Sequence, residues 1–277
     1  MAVISIVTAT LNAAALLPYT LESLARQRGA SFEWLVVDGG SADGTLELLR
    51  RYPGELSLVS EPDRGIYDAW NKACERARGD WLLFLGAGDD LVGDDALAAF
   101  SARLERAHPA HDLVYGRLRY LSPRARVELE EVGAPWSELR GRWEVGRPAL
   151  PPHPATFHYR SLFAGGRRFD TRFRMAGDSH FLLRYALAKP PLYVPRALVR
   201  APLGGVSFNL GSAAALAREV ADLDRELGLV PPLGHRIAER ARLAAKVIAG
   251  ALPAPVGRAI ADLGRLASGQ PRRWSVR

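Results

Sequence analysis

The stretch "DWLLFLGAGDD" (residues 80–90) decides how this chain folds. Leu82 to Leu85 form an unbroken apolar run, the mark of a strand buried on both faces. The run then loosens through Gly86 and Gly88 and ends on adjacent carboxylates, Asp89 and Asp90. A turn, or a cap by Asp94 or Asp95 on the following helix, accounts for part of this polarity. A divalent cation held beside a still more negative group accounts for the pair. Magnesium and manganese favour this chemistry, binding one or two carboxylates together with substrate phosphates. On that reading Asp89 and Asp90 hold Mg2+ or Mn2+ against a diphosphate and stabilise it as a leaving group.

Upstream, the same strand-then-turn unit recurs. "VISIVTAT" (3–10), "FEWLVVDGG" (32–40) and "LSLVSE" (56–61) read as strands. Between them, "AALLPYTLESLARQR", "TLELLRRY" and "IYDAWNKACERAR" carry helical spacing, with Ile66, Trp70, Ala73 and Ala77 aligned on one face of the last. "DDALAAFSARLERA" and "DLVYGRLRYL" add another helix and one or two further strands. Repeated strand–helix–strand units predict an α/β fold with a mostly parallel sheet and helices on both faces. Ligands of such sheets bind beyond the carboxyl ends of the strands. Those ends carry Thr8–Asn12, Asp38, Glu61–Asp63 and Asp89–Asp90. Asp38 leaves a buried strand and needs a partner, which a base N–H or a ribose hydroxyl would supply. Asp43 and Thr45 suit a helix start.

Bulk properties narrow the classes. The 277 residues are 48% apolar and 24% charged, enough for one large core with a smaller appendage. No apolar run is long enough to cross a bilayer, and "MAVISIVTATLN" opens directly on a strand pattern, so a cytoplasmic protein is expected. Cys74, the single cysteine, excludes an internal disulfide and a thiolate metal cluster, and its helical context suits packing. The net charge of +7 favours anionic partners, but the basic residues are dispersed and form no nucleic-acid recognition module. "TATLNAAALL" is neither a dinucleotide fingerprint nor a P-loop, which argues against a Rossmann dehydrogenase or a P-loop kinase.

Together, "VTATLN", "WLVVDGGSADGT", "EPDRGIYDAWNKA" and "GDWLLFLGAGDD" resemble the family 2 glycosyltransferases, most closely the bacterial enzymes that build cell-surface polysaccharides. The resemblance is dense over residues 1–120 and patchy to about residue 210. It implies a GT-A fold, a nucleotide-diphosphate sugar donor (a uridine donor being the family's most frequent), a divalent metal at a D-x-D-type motif, and inversion by single displacement. By the same resemblance Thr8, Asn12 and Asp38 line the nucleotide pocket, Glu61, Asp63 and Arg64 lie beside it, and Asn71 and Lys72 belong to the helix that closes it. Gly88 stands where the family usually has a carboxylate, so the metal role is assigned to Asp89, one position later, with Asp90 as its companion. A non-catalytic, nucleotide-sugar-binding relative is the alternative that this departure raises.

An inverting transferase also needs a base for the acceptor hydroxyl. In "RFDTRFRMAGDSHFLLR" (168–184), Asp178 occupies the place where the family has its acidic base, and as an isolated feature it also suits a helix cap. His153 in "PPHPATF" resembles a histidine common in this subgroup and is a candidate acceptor contact, as is Trp136; Trp143 anchors the loop or stacks on a sugar, and His180 suits packing. The implied acceptor is a glycan or a polyprenyl-linked sugar, which places the protein at the inner face of the cell membrane.

The expected organisation is a catalytic domain over 1–211, with a nucleotide-sugar part (1–121) and an acceptor part (122–211), followed by a basic helical extension over 212–277. In "GHRIAERARLAAKVIAGAL", Ile237, Ala241, Ala244, Ile248 and Leu252 share one stripe, with Arg242 and Lys246 roughly opposite. Such a stripe either packs on the protein, its commoner fate, or lies in the plane of a membrane.

Overall fold

The computed structural model describes residues 3–204, 209–267, 272 and 274–275. These residues form two compact units, one of 1–119, 132–137 and 150–201, the other of 120–131, 138–149 and 202–277. The chain opens with β1 (Ile4–Thr10), α1 (Leu17–Ala25), β2 (Phe32–Asp38), α2 (Thr45–Arg50), β3 (Leu56–Ser60) and α3 (Ile66–Cys74). It continues through β4 (Trp81–Phe84), β5 (Asp90–Leu91), α4 (Ala96–Ala107), β6 (Leu113–Leu121), β7 (Glu128–Val132) and α5 (Trp136–Leu139). There follow β8 (Trp143–Glu144), β9 (Arg147–Pro148), β10 (Thr156–Tyr159), α6 (Gly177–Ala186), β11 (Leu192–Pro202), α7 (Ala213–Glu226), α8 (Leu233–Ala251) and α9 (Ala254–Ala267).

The main sheet runs in the order β3-β2-β1-β4-β10-β6-β11-β5. Its first half is parallel: β2 pairs with β3, β1 with β2, and β1 with β4. From β4 onward it turns antiparallel, because β10 enters from the long irregular segment with no crossover helix to restore its direction. The parallel strands are apolar on both faces, with Ile4, Ile6, Val7, Trp34, Val36, Leu83 and Phe84 at 2% exposure or less. Each such side chain contributes roughly 1.5–3 kcal/mol by leaving water.

Two expectations shift. The strand expected to run through Asp90 stops at Phe84, and the chain turns through Gly86 and Gly88 (φ +100°) before Asp90 starts β5, which pairs with β11. Of the aligned Ile66, Trp70, Ala73 and Ala77, the last three are buried but Ile66 is exposed, because it is the first residue of a helix that starts directly after Gly65 (φ +123°).

In the second unit, Val145 and Gly146 both have positive φ and close the β8–β9 hairpin. Helix α7 buries Val220 and Leu223, and α8 packs on α9. Gly257 of α9 comes so close to the Ala249 carbonyl of α8 that no Cβ would fit. The apolar stripe of α8 does not pack: Ile237 and Ile248 are each 62% exposed.

Candidate active site at the carboxyl ends of the strands

Register brings Thr10, Asp38 and Ser60 into one row across the ends of β1, β2 and β3. Asp38 is fully buried there. Its carboxylate accepts from the hydroxyls of Thr10 (2.9 Å), Ser41 (2.5 Å) and Ser60 (2.8 Å), and from the backbone N–H groups of Gly40 (3.0 Å) and Ser41 (2.8 Å). Burial alone would raise its pKa, but these donors outweigh it and hold Asp38 below the usual carboxylate range. Asp38 thus fixes the shape of the 39–43 loop from beneath.

That loop is tied to the end of β1. Asn12 (φ +49°) accepts from the Ala42 N–H at 3.0 Å and donates its own N–H to Ser41 Oγ at 2.8 Å. Ala13 N–H donates to Thr45 Oγ1 (2.9 Å) and Ala14 N–H to Asp43 Oδ2 (3.0 Å). Asp43 also receives the Thr45 hydroxyl, so both residues secure the start of α2 although Gly44 is its formal cap. Thr8 lies deeper: it is fully buried and accepts the Trp34 Nε1–H at 2.9 Å.

After β3, Asp63 accepts the Gly65 N–H at 2.8 Å and lies against Gly39, where a Cβ would stand only 2.6 Å from Oδ2. Glu61, Lys72, Asp68 and Arg64 form a charge relay, with Lys72 2.7 Å from Glu61 and 3.6 Å from Asp68, and Arg64 2.8 Å from Asp68. The hydrogen bond and charge of Lys72 lower the Glu61 pKa, and the Arg64 hydrogen bond lowers that of Asp68. Asn71 is a staple: its amide donates to the Phe169 carbonyl and accepts the Phe169 N–H, both at 2.9 Å.

The turn after β4 is braced from α1. The Thr20 hydroxyl donates to the Asp89 carbonyl at 2.7 Å and accepts the Gly88 N–H at 2.9 Å. Within the turn, the Gly86 N–H donates to Asp89 Oδ2 at 2.8 Å. The two acidic residues part company here. Asp90, in β5, takes the Arg200 guanidinium from β11 at 2.5 Å, whereas Asp89 stays in the turn. Among the described residues no cluster of three or more His, Cys, Asp or Glu side chains gathers as a metal cage. A cation is therefore accommodated only if it shares its shell between Asp89 and ligand oxygens, as magnesium and manganese do with phosphates. Gly86 suits this arrangement: a Cβ there would stand 3.1 Å from Asp89 Oδ2 and crowd the carboxylate.

Asp178 lies in the first turn of α6, and the cap position is taken by Ala176. The Asp178 Oδ1 accepts the Ser179 N–H at 2.7 Å and the Tyr67 hydroxyl at 3.3 Å. Tyr67 reaches it because residue 177 is glycine; a Cβ there would stand 2.7 Å from the ring. Since Tyr67 lies in the first turn of the helix that follows the carboxyl end of β3, its contact draws the start of α6 to that same edge.

His153 is buried and stacks on Trp70 with centroids 5.0 Å apart, and burial pushes its pKa down to about 3, leaving the ring neutral. His180 packs on Phe173 at 5.0 Å, and burial pushes the Cys74 thiol up. Trp136 opens α5, half-buried. Sequence reasoning passed over Thr20, Tyr67, Asp68 and Arg200. For Thr20 a signal existed: it is a polar residue on the apolar face of α1, beside Leu17 and Leu24.

Comparison with known proteins bears on this arrangement. The family model described as "Glycosyl transferase family 2" matches residues 5–162. A "PGL/p-HBAD biosynthesis glycosyltransferase" of Mycobacterium bovis is 37% identical over 187 residues, 65% of this chain and 68% of that protein. An uncharacterized glycosyltransferase of Mycobacterium tuberculosis is 32% identical over 238 residues, 84% of this chain and 87% of its own. Among solved structures, S. aureus TarS in complex with UDP-GlcNAc superposes with a TM-score of 0.61 at 18% identity, over 93% of this chain and 79% of that one. A mannosyltransferase from Pyrobaculum calidifontis, in complex with GDP-Man and Mn2+, gives 0.61 at 21% identity, over 96% and 80%. The fold is accordingly GT-A-like, and the chain belongs to glycosyl transferase family 2.

Proposed function

We propose that the protein is an inverting, metal-dependent glycosyltransferase that moves a sugar from a nucleotide-diphosphate donor, a UDP-sugar foremost, to a hydroxyl of a glycan or lipid-linked acceptor in cell-surface polysaccharide biosynthesis, working in the cytoplasm in peripheral contact with the membrane. The observation that carries this reading is the Tyr67–Asp178 contact, which draws a carboxylate at the start of α6 to the edge where the Thr20-braced Asp89 turn ends β4.

Asp178 takes the proton from the acceptor hydroxyl. The acceptor oxygen then forms its bond to the anomeric carbon as the bond from that carbon to the diphosphate oxygen breaks. The new bond forms on the face opposite the leaving group, so the configuration inverts. Asp89 would hold Mg2+ or Mn2+, with its neighbour Asp90 anchored on Arg200. A cation bound there would supply positive charge against the departing diphosphate. Asn12, Asp38 and Asp63 shape the nucleotide pocket through the loops they hold, and Glu61, Arg64, Asn71 and Lys72 keep α3 in register beside it.

The test is transfer from a panel of nucleotide sugars to a soluble acceptor sugar, with the linkage of the product read by NMR. An inverted anomeric configuration from one donor, dependent on Mn2+ or Mg2+ and abolished in Asp178→Asn, is the expected result. Retention of configuration would reject the mechanism. Gly88, in a backbone conformation (φ +100°) that a carboxylate-bearing residue rarely adopts, favours the second reading, a donor-binding relative without turnover. Nucleotide binding without product from any donor would establish that one instead.

A further inference from the structure

Helix α9 is built inside out. Two of its three charged residues face the protein: Asp262 is 2% exposed and accepts the N–H groups of Trp274 (2.8 Å) and Ser275 (2.6 Å), while Arg265 reaches Glu130 at 3.1 Å. Its apolar stripe, Val256, Ile260 and Leu263, points outward, with Leu263 64% exposed. Helix α8, packed against it, likewise leaves Leu233, Ile237 and Ile248 exposed. An apolar face turned to water on two adjoining helices is the signature of a surface that meets something else.

The charge around this face selects the occupant. Arg236 and Arg240, one helical turn apart on α8, and Arg258 on α9 are exposed. The carboxylates of the two helices are Glu239, tied to Arg242 at 3.2 Å, and the buried Asp262. The face therefore presents apolar and basic groups with no countervailing exposed acid among the described residues of these helices. A second copy of the chain would oppose arginine to arginine across a two-fold axis. An anionic lipid surface takes the apolar stripe into its interfacial zone and pairs the arginines with phosphates. Among the described residues no helix is long and apolar enough to cross a bilayer, so the contact lies in the membrane plane.

From this we infer that the outward face of the α8–α9 pair docks the protein on anionic phospholipid. The inference rests on the membrane-contact part of the proposed function and names the surface responsible. The experiment is sedimentation of the full-length protein with phosphatidylcholine vesicles, with and without phosphatidylglycerol, at low and high salt. The wild type is expected to sediment with the anionic vesicles and to be released by salt. Ile260→Glu with Leu263→Glu is expected to weaken partitioning by at least about tenfold, the factor that one lost buried apolar side chain is worth. Arg236→Gln with Arg240→Gln is expected to reduce the preference for the anionic lipid. Absence of sedimentation, equal binding to phosphatidylcholine alone, or unchanged binding by Ile260→Glu with Leu263→Glu would overturn the inference. So would a dimer in solution that these two substitutions dissociate. The same samples are tested for thermal stabilisation by UDP with Mn2+. Vesicle binding without a nucleotide effect would reject the donor reading and leave the docking surface standing; the reverse pattern would reject the docking surface alone.

Discussion

The Thr20 hydroxyl and the Asp89 carbonyl, far apart in sequence, meet at 2.7 Å, and the same hydroxyl accepts the Gly88 N–H at 2.9 Å. One side chain on α1 thereby sets the backbone from which the Asp89 carboxylate projects. Thr20→Val keeps the shape and removes the hydroxyl's bonds to the Asp89 carbonyl, the Gly88 N–H and, at 3.4 Å, the Gly86 carbonyl. We expect a loss of about 1–3 kcal/mol in stability, read by urea unfolding. Manganese-dependent nucleotide binding should weaken more than metal-free binding, read by calorimetry. Equal weakening of both would assign Thr20 to the fold alone.

Asp178 is expected to act on the acceptor proton and not on the donor. Asp178→Asn should lower kcat by about 10²–10⁴-fold with little change in donor KM. Tyr67→Phe, which removes the hydroxyl 3.3 Å from Asp178, should lower kcat by a smaller factor, again with little change in donor KM. A large rise in donor KM in Asp178→Asn would contradict this assignment.

The strand–helix alternation of the first unit was legible because buried parallel strands are continuous apolar runs, as "LLFL" and "LVV" show. The carboxylates at the strand ends were legible for the same reason: a charge directly after such a run must find a partner. What escaped were partners distant in the chain. Nothing local announces that Arg200 meets Asp90, that Tyr67 meets Asp178, or that Gly177 exists to admit Tyr67. Asp178, read as the base, also suited a cap because aspartate caps well, yet Ala176 fills that position and Asp178 sits inside the first turn. The α8 stripe has the periodicity of a packed helix, and periodicity does not say whether the apolar face meets protein or water.

Asp38 provides an acid-limb test. Its hydrogen-bonded carboxylate titrates below that of an unfolded aspartate, so its contribution is present above about pH 4 and is lost as pH falls through the lowered folded value. Asp38→Asn should cost about 1.5–3 kcal/mol at pH 7, with the gap to wild type narrowing below about pH 4 in denaturant titrations. A gap that holds constant into the acid range would show that the charge of Asp38 is not what stabilises the loop.

Asp224 works in the opposite sense. Burial raises its pKa to about 6 against the opposing charge of Arg147, and its buried Oδ1 has no hydrogen-bond partner among the described residues. The native state therefore binds this proton more readily than the unfolded chain, and stability declines as pH rises from about 4 to about 6. Asp224→Asn removes that penalty. Its Tm should exceed the wild-type Tm at pH 7.5 and converge with it near pH 4. A variant no more stable at pH 7.5 would contradict the account.

The central claim is that Asp89 holds a cation against the donor diphosphate, and thermal stability with UDP, with and without Mn2+, tests it most directly. A ligand that binds only the native state raises Tm, by about 2.7 kcal/mol of stabilisation at a hundredfold excess over Kd. Wild type should show a manganese-dependent rise with UDP. Asp89→Ala should lose the manganese-dependent part, and Asp178→Ala should keep it. If Asp89→Ala retained the full manganese-dependent rise, the cation would lie elsewhere and the assignment of Asp89 would fail.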